Sequence, residues 1–110
     1  MAMLKILFAC EGDQQRSKTA EAIYNDDKRF EVKSAGVNEV TDGVLADWAD
    51  YIFVMEATHQ ARLKERFPAQ YDEDMIFNLE IEDHFDYMDS KLVAILQSKF
   101  EDAYFLFIEN

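Results

Sequence analysis

Leu4-Lys5-Ile6-Leu7-Phe8-Ala9-Cys10-Glu11-Gly12-Asp13-Gln14-Gln15-Arg16-Ser17-Lys18-Thr19-Ala20-Glu21-Ala22-Ile23-Tyr24 is the stretch whose reading decides the fold. Leu4 to Ala9 is apolar except for Lys5, as expected of a central parallel strand covered on both faces. The run ends on Cys10, the only cysteine in the chain. Ser17 to Asn25 reads as a helix, with Ser17 as its expected N-cap and Glu21 in its early turns, where the helix dipole favours acid. A strand that passes through a short loop into a helix N-terminus gathers unpaired N–H groups and partial positive charge in one concavity, which suits an oxyanion. A cysteine there is favoured as thiolate, the nucleophilic form. Arg16 offers two parallel donors to a phosphate, and the Ser17 hydroxyl reaches back toward the sulfur.

Cys10-Glu11-Gly12-Asp13-Gln14-Gln15-Arg16-Ser17 resembles the signature loop of the low-molecular-weight protein tyrosine phosphatases, C-x5-R-[ST], with Ala20, Glu21 and Ala22 also in register. The segment from Phe30 to Val37 is similar to that family's second strand, and Ala49 to Glu56 to its third. Ile81-Glu82-Asp83-His84-Phe85-Asp86-Tyr87-Met88-Asp89 resembles the acid loop of short members. The resemblance implies Cys10 as nucleophile, Arg16 with the loop Glu11, Gly12, Asp13, Gln14 and Gln15 as phosphate cradle, and Ser17 as support for the thiolate. It implies Asp83 as general acid and then base, and Phe85 and Tyr87 as aromatic walls. Asp86 is the next candidate for the acid. Glu80, Glu82 and Asp86 around Asp83 would favour its protonated form. The implied reaction is hydrolysis of a phosphorylated protein or a small aryl phosphate, with no metal and no cofactor.

The rest of the chain alternates strand and helix signals, which calls for an α/β fold with a parallel sheet. Expected strands are Phe30 to Ala35, Tyr51 to Met55 and a weaker Met75 to Leu79; expected helices are Thr41 to Ala49, Ala57 to Phe67 and Asp89 to Ile108. Pro68 lies just past the second of these helices. The stripe of the last helix is Leu92, Ile95, Leu96, Lys99, Phe100 and Ala103, and Asp89 or Ser90 is its cap. The expected architecture is a three-layer sandwich, a four-stranded parallel sheet with helices on both faces. The strand order 2-1-3-4 is taken from the resemblance. Trp48 and the methionines are expected in the core, His59 in solvent, and the apolar tail Tyr104 to Ile108 in the core or in a dimer contact.

The whole 110-residue chain fits one domain, with 49% hydrophobic residues and few Gly or Pro. Its net charge of −12 opposes binding to nucleic acid or anionic membranes. Between Phe67 and Ser90 there is no Lys or Arg, and this acidic run reads mainly as a solvated face. No stretch has the length or flanks of a membrane span or a signal peptide, so the expected location is the cytoplasm, as a monomer or weak dimer. One cysteine allows no internal disulfide, which removes the relay of cysteines used by arsenate reductases of this fold.

The loop also departs from the family's wording. Asp13 stands for Asn, Lys18 for Pro, Gln15 for a second cysteine, and Glu82 for the Pro before the acid. Glu11 and Asp13 add negative charge where a phosphate dianion must sit. These residues motivate a second reading, a phosphatase-like binding or regulatory module with weak or no turnover. A third is a redox sensor that uses Cys10 and an external thiol. His84, beside Asp83, is a further candidate to tune the acid or bind substrate.

Overall fold

From Ile6 onward the first strand is buried on both sides, and its side chains divide by parity. Ile6, Phe8 and Cys10 enter one apolar cluster; Leu7 and Ala9 enter another. A strand with a helical layer above and below it needs apolar side chains on both faces, which is why the run is continuous.

The computed structural model describes residues 3–11, 15–36, 48–66 and 75–109. Its elements are β1 (Leu4–Cys10), α1 (Gln15–Tyr24), β2 (Phe30–Gly36), β3 (Tyr51–Val54), α2 (Ala57–Arg66), β4 (Ile76–Asn78) and α3 (Ser90–Ala103), followed by a π-helical segment, Tyr104–Glu109. The four strands are parallel in the order β2-β1-β3-β4. Leu4 pairs with Phe30 at one end of the β1–β2 register and Cys10 with Gly36 at the other. Ala20 and Tyr24 of α1 and Leu92, Leu96 and Phe100 of α3 cover one face; Leu63 of α2 covers the other. The fold is therefore the expected α/β sandwich. Parallel strands bring their C-terminal ends to one edge, where Cys10, Glu56 and the segment after β4 converge.

Several expectations are corrected in detail. α1 begins at Gln15, so Ser17 lies inside its first turn and is not the N-cap. Lys99 belongs to the helical stripe only by spacing: it is exposed, and its Nζ donates to the Glu80 carbonyl at 2.8 Å. α3 ends as an α-helix at Ala103, and the widened turn that follows sets Tyr104 on Phe30 (5.1 Å between ring centroids) and Phe107 on Phe77 (5.6 Å). Phe105, Leu106 and Phe107 nonetheless stay exposed. Met55 is buried, but Met3 and Met88 are exposed. Asp89 is the N-cap of α3; its carboxylate accepts from the N–H groups of Lys91 and Leu92. Most of the expected helix from Thr41 to Ala49, and Pro68, lie outside the described residues; of that helix Trp48 packs beside the second cluster, under the Lys33 ammonium at 4.5 Å. No helix among the described residues is long and apolar enough to cross a membrane.

Phe100 sits at the centre of the larger cluster, with ring centroids of Tyr24, Phe53, Phe30 and Phe8 at 4.6, 4.8, 5.3 and 5.4 Å. Beside it, Arg29 clamps Asp27 (2.8 Å) and Glu101 (2.9 Å), and the Tyr24 hydroxyl donates to Glu101 at 2.9 Å. Hydrogen bonds from Arg29 hold both carboxylates below their ordinary range, and burial first, then Glu101, pushes the Tyr24 phenol up.

Two outcomes follow from this packing. Phe100→Ala should lower unfolding free energy by about 3–5 kcal/mol, read from urea unfolding. The depressed carboxylates contribute stability above their unfolded pKa values and lose it as pH falls through the folded ones. The melting temperature should therefore fall below about pH 4.5. Glu101→Gln should flatten that fall while costing no more than about 1 kcal/mol at neutral pH, because the pair is part-exposed.

Candidate active site

Arg16 is a charged side chain with 1% of its surface exposed. Its place in the first turn of α1 turns it under the sheet edge, toward the ends of β3 and β4. Its Nη1 donates to Glu56 Oε2 at 2.8 Å and to the Ile81 carbonyl at 2.6 Å. Its Nε is buried and has no hydrogen-bond partner, and Asp83 Oδ1 lies 3.7 Å from it. Two acceptors thus fix one corner of the guanidinium, while an adjacent donor is left unfilled. Arg16 also holds the Glu56 carboxyl below its ordinary range, chiefly through that hydrogen bond.

Cys10 is buried at the end of β1, and its thiol donates to the Ser17 hydroxyl, with Sγ–Oγ at 3.1 Å. Were the sulfur ionised, the same hydroxyl could turn and donate to it. Cys10, Ser17, Arg16 and Asp83 are therefore brought to one end of the sheet. Gln15 opens α1. Glu11 extends toward α2, its Oε1 3.6 Å from Arg62 Nη2, so part of its charge is met there. Gly12, Asp13 and Gln14 lie outside the described residues.

The acid segment is held at both ends. Glu80 and Met88 have positive φ, 54° and 61°, in the left-handed region that side chains other than glycine seldom adopt. The Asn78 side chain accepts from the Glu80 N–H at 2.9 Å, and Thr19 Oγ1 accepts from the Met88 N–H at 3.0 Å. Between them Asp83 is half-exposed and faces Arg16, while Asp86 is exposed, and its carbonyl accepts from the Asp89 N–H. Phe85 packs partly into the core, under His84 at 4.1 Å. Tyr87 is 52% exposed and walls an open cavity of about 710 Å³ with Lys18, Glu21, Asn25 and Ser34. His84 bonds Glu82 at 2.8 Å.

His59 is the clearest departure from expectation. It is not solvated but 1% exposed, inside the first turn of α2. Its Nδ1 accepts the Met55 N–H at 3.3 Å, and its Nε2 has no hydrogen-bond partner. Burial first, and then Arg16, holds it below its ordinary value, against the opposing pull of Glu56, Glu11 and Asp83.

The sequence reading assigns no site role to Glu56, Thr19 or the Ile81 carbonyl, and it places His59 in solvent. A signal for Glu56 and His59 exists. Glu56 directly follows the apolar run of β3, at the strand end where sites of parallel sheets form, and His59 is one helical turn further on. Among the described residues no three His, Cys, Asp or Glu side chains are gathered as metal ligands.

The sequence matches no protein-family model and no curated protein. Its structure is similar to solved ones. SP-PTP, a low molecular weight protein tyrosine phosphatase from Streptococcus pyogenes, matches with a TM-score of 0.69 at 15% identity, over 97% of this chain and 95% of that one. YfkJ from Bacillus subtilis matches at 0.64 and 22% identity, over 92% of each chain. The YwlE arginine phosphatase from Geobacillus stearothermophilus matches at 0.62 and 21%, over 93% of this chain and 96% of that one. The four parallel strands in the order 2-1-3-4, with helices on both faces, are the fold of the low-molecular-weight protein tyrosine phosphatases.

Proposed function

We propose that this protein is a phosphomonoesterase that works through a phosphocysteine. The observation that carries the reading is the buried Arg16 guanidinium with its unfilled Nε, one residue from the Ser17 hydroxyl that touches Cys10 Sγ, and faced by Asp83. A buried donor without a partner costs about 1–3 kcal/mol, and a phosphoryl oxygen would fill it.

The chemistry uses only these side chains. The Cys10 thiolate attacks phosphorus and the bond from phosphorus to the leaving oxygen breaks, while protonated Asp83 gives its proton to that oxygen. Asp83, now a carboxylate, takes a proton from water; the water oxygen attacks phosphorus and the S–P bond breaks. Inorganic phosphate leaves, and the thiolate and the acid are restored. Arg16 and the loop amides from Glu11 to Ser17 balance charge on the equatorial oxygens, and Ser17 steadies the sulfur. The chemistry calls for no metal or cofactor.

The finer assignment is phosphotyrosine or a small aryl phosphate, with exposed Tyr87 stacking on the ring. Phe85, which was expected to share that role, is partly committed to the core. One of the structural neighbours is an arginine phosphatase, and a cationic phosphorylated side chain would also suit the carboxylates of Glu56, Glu11 and Asp83. The second reading, a binding module with little turnover, is favoured by one contact: Glu56 already occupies Nη1 of the arginine that phosphate needs.

Hydrolysis of para-nitrophenyl phosphate with EDTA present tests the reading. Wild type should turn over, Cys10→Ser should abolish it, and Asp83→Asn should lower kcat about 10²-fold or more. A folded, reduced wild type without turnover on any phosphate ester or on phosphoarginine would leave the binding module. Parallel assays on phosphotyrosine and phosphoarginine peptides set the substrate class: faster release from phosphotyrosine is expected, and the reverse order would assign the site to the cationic substrate.

A further inference from the structure

His59 has no part in the chemistry above, yet it is among the few polar side chains with almost no exposed surface. Such a group persists in a core when it is paired or used. One of its nitrogens is accounted for. Nδ1 accepts from the Met55 N–H, so the neutral ring carries its proton on Nε2. That Nε2–H is buried and without a hydrogen-bond partner, and it stands 3.6 Å from Glu56 Oε2. The same carboxylate oxygen accepts from Arg16 Nη1 at 2.8 Å. One oxygen thus lies between two donors, bonded to the first and just short of the second.

We propose that His59 is a positioning residue for phosphate binding, acting on Arg16 through Glu56. The inference rests on the reading of Arg16 as the phosphate-binding residue. A phosphate dianion and the Glu56 carboxylate compete for one guanidinium, and they repel each other. When phosphate draws on Arg16, Glu56 must give up part of its bond. The His59 Nε2–H is placed to receive it: closing from 3.6 Å to about 2.9 Å completes an ordinary hydrogen bond. The Met55 N–H holds the ring in the tautomer that can donate. His59 therefore keeps the displaced carboxylate satisfied and away from the phosphoryl group. Without that donor, Glu56 stays on Arg16 and competes with the ligand.

The test is calorimetric titration with inorganic phosphate, which needs no turnover. His59→Phe, which fills the space without a donor, should weaken phosphate binding about tenfold and raise the KM for para-nitrophenyl phosphate more than it lowers kcat. In a Glu56→Gln background the same substitution should leave phosphate affinity unchanged, because the competing charge is gone. Equal losses in both backgrounds, or no loss in either, would overturn the proposal. Should His59→Phe fail to fold, nitrogen and proton NMR of the unaltered protein decides. Phosphate should shift the His59 Nε2–H resonance, and an unmoved signal in a phosphate-saturated protein overturns the role. A wild type that binds phosphate but hydrolyses neither an ester nor phosphoarginine removes the catalytic reading alone. A wild type that binds no phosphate removes both.

Discussion

A guanidinium cannot be taken out of water unless its charge is met by acceptors at hydrogen-bond distance. Arg16 is such a group, and the elements around it are arranged to meet that demand. α1 carries it, the end of β3 supplies Glu56, and the segment after β4 supplies the Ile81 carbonyl. Three separated parts of the chain have to arrive together, and they do so because the strands are parallel and finish on the same edge. The Ile81 N–H bonds the Met55 carbonyl at 2.9 Å and the Leu79 N–H bonds Val54 at 2.8 Å, so the acid segment is stitched to β3 before it reaches the arginine. Its hydrogen bonds to Glu56 and Ile81 are made at one corner only, and Asp83 faces the Nε side at 3.7 Å. The Nε donor, buried and without a hydrogen-bond partner, is what phosphate would fill in the proposed reading.

Core and candidate site are not separate regions here. Cys10 belongs to the same apolar cluster as Phe8 and Phe100, and the alternation that puts Phe8 in that cluster also fixes which way the sulfur points. A change in the register of β1 would turn Cys10 to the α2 side and away from Ser17. The large aromatic cluster thus does more than stabilise the sheet. It sets the depth and the face at which the Cys10 sulfur is held.

The sequence made the architecture legible because its signals were of the strongest kind. A continuous apolar run before Cys10, a helix-forming stretch after Arg16 and alternating strand and helix segments leave few topologies open. The strand order needed the resemblance as well. What failed was local. The start of α1 was misplaced because Ser17 has the chemistry of a cap, while burial of Arg16 and Ser17 inside the first turn overrides it. The expected helix to Ile108 is helical to Glu109, but helical spacing cannot foresee that its last stretch widens and swings Tyr104 and Phe107 onto β-sheet aromatics. His59 was misjudged because its helix is polar in composition; only the strand end beneath it reveals that this one turn is covered. The carbonyl of Ile81 has no side-chain signature, so no reading of residue types would have found it.

The two left-handed residues give the acid segment a particular character. Glu80 is fastened locally by the Asn78 side chain two residues before it, Met88 by Thr19 from α1, and Lys99 ties the Glu80 carbonyl to α3. The backbone between them behaves as a span between two fixed posts. Its outer side chains, Glu82, His84, Asp86 and Tyr87, are exposed and contribute little to the core. Such a span works as an exchangeable cassette: those outer side chains can be replaced while the posts, the sheet and the contacts of Ile81 and Asp83 with Arg16 stay as they are.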